Sequence, residues 1–469
     1  MPVRRADKTP MPVQDASRRA RNFLEVNGGY TAAHAAFEAE RCLRCQDPLC
    51  VSGCPVRIPI RDFIHAVAAA DMPAAASILR AANPLPAICG RVCPQELQCE
   101  AECSMGGRFE PVAIGHLERF VADWERTQRL TIEPSITKPE QVAVIGAGPS
   151  GLVCAGELAR IGYAVTIYEA LHAPGGVLRY GIPEFRLPKA VLDWEIDVLR
   201  RMGVEILCNV IIGKTITLDE LTGPLGYSAV FIGTGAGLPQ FLNIPGENLN
   251  GVYSANEFLT RINLMRAYDF PNADTPVRVG KRVAVIGAGN TAMDAVRTAM
   301  RMGADEAMIV YRRSDREMSA RVEEYHHAIE EGVQFHWLTS PLEVVDDGSG
   351  WVGGLRCQRM QLGEPDGSGR RRPVPIAGSE FVLSADNVVL AIGTTPNPLL
   401  TRTTNGLATT KNGCLVADEA SGQTSKAMVF AGGDAVTGAA TVILAAGAGK
   451  RAAHAIAAAL SSHGRASPN

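Results

Sequence analysis

The stretch Gln141-Val-Ala-Val-Ile145-Gly146-Ala147-Gly148-Pro149-Ser150-Gly151 decides the fold. A short apolar run followed at once by glycines predicts a buried strand that turns sharply into a helix. In Gly146-x-Gly148-x-x-Gly151 the first glycine makes the tight turn. The second lets the backbone approach a pyrophosphate, and the third lets helix and strand pack closely. A helical stretch runs to Ile161, and the strand Ala164–Tyr168 follows, closed by Glu169. An acid roughly 20 residues past such a glycine turn hydrogen-bonds an adenine ribose. Strand, glycine turn, helix, strand and acid together predict a dinucleotide-binding βαβ unit with Pro149 at the helix start.

The pattern returns in the second half of the chain. Arg282–Ile286 is the strand, Gly287-Ala288-Gly289-Asn290-Thr291-Ala292 the turn, and Ala307–Tyr311 the second strand. Alanine in the third position is allowed. No acid closes this unit. Arg312 and Arg313 stand there instead, directly after the second strand, where arginine accommodates a 2′-phosphate. The second unit therefore predicts NADP(H), and the first FAD. Phe430-Ala-Gly-Gly433-Asp434, with a helix from about Thr441, supplies a carboxylate for ribityl hydroxyls and a helix N-terminus for the flavin. Val230–Thr234 and Val388–Thr394 read as the two crossings between the cofactor domains.

Length and composition set the frame. A chain of 469 residues suits roughly two to four domains. Lys plus Arg is 46 and Asp plus Glu is 49, a net charge of −3, which argues against nucleic acid or an anionic membrane as main partner. No charge-free apolar run predicts a membrane helix, and Met1–Asp15 lacks a signal-peptide core, so a cytoplasmic location is expected.

Of twelve cysteines, eight lie between Cys42 and Cys103. They read Cys42-x2-Cys45-x4-Cys50-x3-Cys54-Pro55, then Cys89-x3-Cys93-Pro94-x4-Cys99-x3-Cys103. The surrounding stretches Ala32–Arg41, Ile60–Ala70 and Ile114–Gln128 predict helices, so a small helical domain carries the cysteines. A linker-like run covers 131–139. One C-x2-C and sparse histidine favour iron–sulfur clusters over zinc. Cys154, Cys208, Cys357 and Cys414 are isolated and read as small buried hydrophobes. No cysteine pair stands where a flavin disulfide reductase would carry one.

Four longer stretches carry a family resemblance. They are Cys89-Gly-Arg-Val-Cys93-Pro-Gln-Glu, Gly176-Val-Leu-Arg-Tyr-Gly-Ile-Pro-Glu-Phe-Arg186-Leu-Pro-Lys189, Gly287-Ala-Gly-Asn-Thr-Ala-Met-Asp294 and Gly432-Gly-Asp-Ala-Val-Thr-Gly-Ala-Ala-Thr441. The chain resembles the glutamate synthase small-subunit family of iron–sulfur flavoproteins over nearly its whole length. It is most similar to the branch holding single-polypeptide-type NADPH-dependent glutamate synthase and the large subunit of NADH-dependent reduced ferredoxin:NADP oxidoreductase. The resemblance implies that NADPH passes hydride to FAD and that two 4Fe-4S clusters carry single electrons to a partner subunit. It implies Cys42, Cys45, Cys50 and Cys103 around one cluster. Cys54, Cys93, Cys99 and Glu118, from Ile114-Gly-His-Leu-Glu118, surround the other, with Cys89 as the alternative to Glu118. It also implies Gly176 and Arg186 near FAD, and Ala391-Ile392-Gly393 near NADPH. His326 and His327 read as surface residues.

The resulting expectation is an α/β fold, pyridine nucleotide-disulfide oxidoreductase-like without the disulfide, with an N-terminal α-helical iron–sulfur domain and two Rossmann-like domains. The expected limits are 1–137 for the bis-4Fe-4S domain, 138–277 and 399–469 for FAD, and 278–398 for NADPH. Gly146, Gly148, Pro149, Gly151, Glu169, Gly176, Arg186, Gly433, Asp434 and Thr441 form the FAD set. Gly287, Gly289, Asn290, Thr291, Arg312, Arg313, Ala391, Ile392 and Gly393 form the NADPH set. The partner is a glutamate synthase large subunit or, in the alternative, a flavin- or ferredoxin-reducing subunit of an electron-bifurcating complex. A dihydropyrimidine dehydrogenase-type subunit or a redox sensor is less favoured.

Overall fold

The computed structural model describes residues 5–128, 132–367 and 369–463. Thr131, where the linker-like run begins, and residues 1–4 and 464–469 of the outer domain limits lie outside them.

Two parallel sheets share one topology. The first runs, edge to edge, Val429–Ala431, Ala229–Ile232, Gln141–Ile145, Ala164–Tyr168 and Glu205–Leu207. The second runs Val252–Ser254, Asn387–Leu390, Arg282–Ile286, Glu306–Val310 and Gln334–His336. The central strands are apolar after their first residue because both faces are covered; in the second sheet the Asn290–Arg301 helix covers one face, and Val344, Val352 and Leu355 cover the other. The stretches read as crossings, Val230–Thr234 and Val388–Thr394, are mainly strands within the two sheets; the chain crosses just beyond them, where Leu238–Pro239 runs antiparallel to Thr394–Thr395.

The first boundary differs from the expected residue 277. Val252–Ser254 pairs with Asn387–Leu390 and so belongs to the second sheet. So short a strand carries too little periodicity to announce itself. A three-stranded antiparallel sheet, Thr339–Asp346, Val352–Pro365 and Arg371–Leu383, is also part of this half.

Residues 5–128 form helices, chiefly Ala32–Ala39, Ile60–Ala68, Met72–Ala82, Pro86–Val92 and Ile114–Thr127. This helical unit has no separate core. Phe63, Ile64, Leu85, Ile88 and Leu117 join Val142, Leu152, Ile167 and Ile456 in one apolar cluster. The Val442–His463 helix makes the junction. Its small residues allow close approach on two sides: a Cβ on Gly447 would lie 2.9 Å from the Pro55 carbonyl, and one on Gly449 2.1 Å from the Ser150 carbonyl. Lys450 donates to the Val56 and Ala82 carbonyls at 3.1 and 2.5 Å. The loop after Cys54 is thereby docked onto the first nucleotide-binding helix.

His326 is exposed, but His327 is buried, against expectation. Its helix, Val322–Glu330, packs between the Asn290–Arg301 helix and the N-terminal segment, so the helix face that looked polar is an interface of buried charges. Cys154 and Cys357 are buried as expected, whereas Cys208 and Cys414 are partly exposed at strand and loop edges. Among the described residues, no helix is long and apolar enough to cross a membrane.

Candidate functional site

The N-terminal cysteines gather in two groups. Burial pushes the Cys50 thiol up to about 12, and the neighbouring Cys103, Cys42 and Cys45 add to it. All four are partly exposed. Burial pushes Cys54 up to about 11, with Glu118 and Cys89 close by. A hydrogen bond to Cys89, then burial, raises Cys93, with Glu118 and Cys99 adjacent. Burial raises Cys99, which feels Glu100, Cys54, Glu118 and also Cys50 of the first group. Cys54, Cys89, Cys93 and Cys99 are buried. Thiols that crowd together out of water suit a multinuclear iron–sulfur group, which takes them as thiolates and neutralises their charge. Among the described residues, no three His, Cys, Asp or Glu side chains close on a point that would hold a single ion.

Glu118 reaches the second group from the Ile114–Thr127 helix. It is buried and accepts from Asn83 Nδ2 at 3.3 Å. Burial pushes its carboxyl up to about 8. Cys89 lies beside the same group, so both candidates for the last ligand are in place.

A cleft of about 1370 Å³ runs across the carboxyl ends of both parallel sheets. That exceeds the roughly 300–1,000 Å³ typical of a single-ligand pocket. Gly146, Gly148, Pro149, Glu169, Gly176, Arg186, Asp434 and Thr441 line one part, and Gly287, Gly289, Asn290, Thr291, Arg312, Arg313, Ala391, Ile392 and Gly393 the other. Gly151 and Gly433 do not line it. A Cβ on Gly151 would stand 1.9 Å from the Gly146 carbonyl oxygen, so this glycine serves helix packing. One on Gly433 (φ +70°) would stand 2.9 Å from Ser150 Oγ. A Cβ on Gly148 would meet nothing within 4 Å, so the bare backbone there faces open cleft.

Two features of this cleft fit dinucleotides. The Pro149–Ile161 and Asn290–Arg301 helices begin at Gly148 and Gly289 with no side-chain cap. Their first amides are left for an anion. Buried carboxyls are the second feature. Glu169 closes the first unit, accepting from the Ala147 and Leu171 amides at 2.8 Å each. Burial raises its carboxyl. Burial also pushes Asp434 up to about 6, and its oxygen accepts from the Ala440 amide at 3.2 Å. A carboxyl held out of water with few donors suits a hydroxyl-rich ligand.

Two expected ligands are engaged elsewhere. Arg186 does not stand free for phosphates: one terminal nitrogen donates to both oxygens of Asp294 at 2.7 and 2.8 Å, and Nε lies 3.2 Å from Glu324. It ties the first nucleotide-binding half to the second. Arg313 is likewise paired, with Asp366 at 2.7 Å. Sequence reading missed Asp294, Tyr180 and Arg370 on the cleft wall. Arg370 arrives from a hairpin tip with no motif of its own. Among the described residues, no cysteine lines the cleft.

Residues 19–130 match the family described as dihydropyrimidine dehydrogenase domain II, 4Fe-4S cluster. Residues 114–223 and 140–459 match pyridine nucleotide-disulphide oxidoreductase. Fold and site thus define an NADP(H)-dependent oxidoreductase that carries FAD and 4Fe-4S iron–sulfur. The chain belongs to the glutamate synthase small-subunit family: it is 36% identical over 453 residues to the glutamate synthase (NADPH) small chain of Escherichia coli (strain K12), covering 95% of both chains. It is 38% identical over 474 residues to the NADPH-Fe(3+) oxidoreductase subunit beta of Geobacter sulfurreducens (strain DL-1 / KN400), covering 95% of this chain and 68% of that one. Mycobacterium tuberculosis FprA in complex with NADPH shares the fold, with a TM-score of 0.59 and 21% identity over 70% of this chain and 86% of that one.

Proposed function

We propose that the chain is the electron-input subunit of a larger cytoplasmic enzyme, taking electrons from NADPH and delivering them through FAD and two 4Fe-4S clusters to a partner subunit. One observation carries the reading. Val92 and Pro94, which flank Cys93, line the nucleotide cleft. The buried cysteine group therefore stands behind the cleft wall, and the partly exposed group lies beyond it, toward solvent. Cys50 and Cys99 link the two groups.

Bound FAD supplies the exchange between two-electron and one-electron chemistry. The chain's residues supply seats and charge. The Gly146–Gly151 turn seats the flavin pyrophosphate on uncapped amides, Glu169 takes the ribose, and Asp434 and Thr441 face the ribityl and pyrimidine end. The Gly287–Thr291 turn and Gly393 seat NADPH. Cys42, Cys45, Cys50 and Cys103 hold the outer cluster. Cys54, Cys93, Cys99 and Glu118 hold the inner one.

A glutamate synthase large subunit is the partner favoured by identity across 95% of the E. coli small chain. A partner that reduces ferredoxin or another one-electron acceptor is the second reading, favoured by the Geobacter relative, whose name gives Fe(3+) as acceptor. Anaerobic NADPH titration of the purified chain, read by optical spectra and EPR, tests the proposal. Flavin bleaching followed by reduced 4Fe-4S signals supports it. A reduced flavin with no iron in intact protein overturns it.

A further inference from the structure

The strand Glu306–Val310 ends in Tyr311-Arg312-Arg313-Ser314, and the two arginines look equivalent in sequence. The structure separates them. Arg312 is exposed on the cleft wall and makes no hydrogen bond or ion pair among the described residues. Arg313 is buried. Its Nε donates to the Arg371 carbonyl at 2.9 Å and a terminal nitrogen to Asp366 at 2.7 Å. Both contacts lie on the hairpin joining Val352–Pro365 to Arg371–Leu383.

That hairpin brings a third guanidinium to the cleft. Arg370, remote from Arg312 along the chain, lines the same cleft. The turn that carries it is braced from several sides. The Asp366 amide donates to the Arg370 carbonyl at 2.7 Å. The Arg371 side chain donates to the Gly363 and Leu362 carbonyls at 3.1 and 3.0 Å. Arg313 is wedged into the same turn.

We infer that Arg312 and Arg370 form the two arms that grip the 2′-phosphate of the nucleotide, and that the Arg313–Asp366 pair positions Arg370. The inference rests on the NADP(H) reading of this site. Charge supports it. A phosphomonoester carries about −1.5 to −2 at pH 7, so one arginine would leave it under-compensated. Arg313 spends its guanidinium on Asp366 and the hairpin backbone, and the cleft wall supplies Arg370 as the second arm. Specificity for NADP(H) over NAD(H) is thus divided between a strand end and a hairpin tip.

The test is calorimetric titration of the FAD-loaded protein with adenosine 2′,5′-bisphosphate and with 5′-AMP. The wild type is expected to bind the bisphosphate more tightly. Arg370→Ala should weaken bisphosphate binding roughly tenfold to a hundredfold, the range of a lost charge-assisted hydrogen bond, and leave 5′-AMP unchanged. Arg370→Lys should restore part of it. Asp366→Ala decides the positioning role by sign. It makes the site one positive charge richer, so a purely electrostatic role would tighten bisphosphate binding, whereas loss of positioning weakens it. Unchanged bisphosphate binding in Arg370→Ala, or tighter or equal binding in Asp366→Ala, overturns the inference. Equal affinity of the wild type for the two probes overturns the NADP(H) reading itself. Flavin absorbance of each variant verifies folding.

Discussion

Glu331 is the hub of the buried charge network at the seam where the second nucleotide-binding half meets the N-terminal segment and, through Arg297 and Glu324, the first half. Its oxygens accept from Arg297 at 2.7 and 2.9 Å, from Arg301 at 2.7 and 3.0 Å and from Arg19 at 3.1 Å. Arg297 also pairs with Glu324, which faces Arg186, which in turn holds Asp294. Glu330 pairs with Arg19 at the rim. Four cations thus meet four anions, and the Phe185 ring lies 3.8 Å from Arg301 and 4.9 Å from Arg297. Glu331→Gln keeps the shape and removes one charge, leaving three buried guanidiniums around a neutral amide. Breaking a buried pair in this way costs about 3–5 kcal/mol. At about 2–4 °C per kcal/mol for a unit of roughly 150–250 residues, the melting point should fall by roughly 6–20 °C. Glu330→Gln, at the half-exposed rim, should cost less than about 1 kcal/mol. The assay is a thermal melt read by flavin release and far-UV circular dichroism, taking the first transition because several domains need not melt together. Burial opposes ionisation of Glu331, but Arg301 and Arg297 outweigh it and hold the carboxyl well below the usual range. A depressed carboxyl contributes stability above its unfolded value, about 4.3, and loses it as pH falls further. The Gln variant's deficit should therefore be constant from about pH 6 to 8 and shrink only below about pH 4. A deficit no larger than that of Glu330→Gln would refute the reasoning.

Three further outcomes are expected. Gly151→Ala forces a Cβ to 1.9 Å from the Gly146 carbonyl oxygen, so the purified variant should carry little flavin; Gly148→Ala meets no protein atom and should fold with weakened FAD affinity, both read from the flavin-to-protein absorbance ratio. Glu118→Ala should lower or remodel iron content while Cys89→Ala leaves it near the wild-type value, by metal analysis and EPR; the reverse result would assign the ligand to Cys89. In flavin-free protein, burial holds Asp434 near 6, above its unfolded value, so its contribution to stability falls as pH rises from about 4 through 6. Asp434→Asn should raise the melting point at about pH 7.5, with the gain shrinking toward about pH 4 in a pH series of melts.

The two nucleotide units were legible because local backbone demands wrote them. Gly146 and Gly287 hold φ of +99° and +131°, and Gly151 has no room for a side chain, so the spacing of glycines reports the turn directly. What stayed hidden lies in long-range pairing. Nothing near Arg313 distinguishes it from Arg312, because its partner Asp366 is distant in the chain. Arg186 sits in a stretch that resembles a flavin site, yet its carboxylate partner Asp294 belongs to the other half. His327 belongs to a helix whose polar face points into the seam, where charge is buried instead of solvated. Polarity marks a surface only when the charges have no partners inside.

The two junctions of the molecule differ in kind, and this bears on how electrons are kept in line. The cysteine-bearing helices join the first nucleotide-binding half through a shared apolar core, with Leu85, Ile88 and Leu117 packed in one cluster with Leu152 and Ile456. Close packing of that sort admits few alternative arrangements, and it fixes the distance from the cleft wall at Val92 and Pro94 to the inner cysteines. The second nucleotide-binding half has its own core around Ile262, Val285 and Ile309. It meets the rest through guanidinium–carboxylate pairs, through Arg321 donating to the Arg91 carbonyl and Gln95 Oε1 at 2.8 Å each, through the pairing of Leu238–Pro239 with Thr394–Thr395, and through Phe23, which stacks on Tyr268 against that core. Gln95 lies close to Cys93 in the chain, and Asn290 of the nucleotide turn accepts from the Arg321 amide at 2.9 Å. One residue thus bridges the second glycine turn and the segment that follows Cys93. Directional pairs add a fixed orientation at this second junction. A hydride donor must be aligned to well under an ångström, and a seam of fixed hydrogen-bond geometry suits that requirement better than hydrophobic contact does.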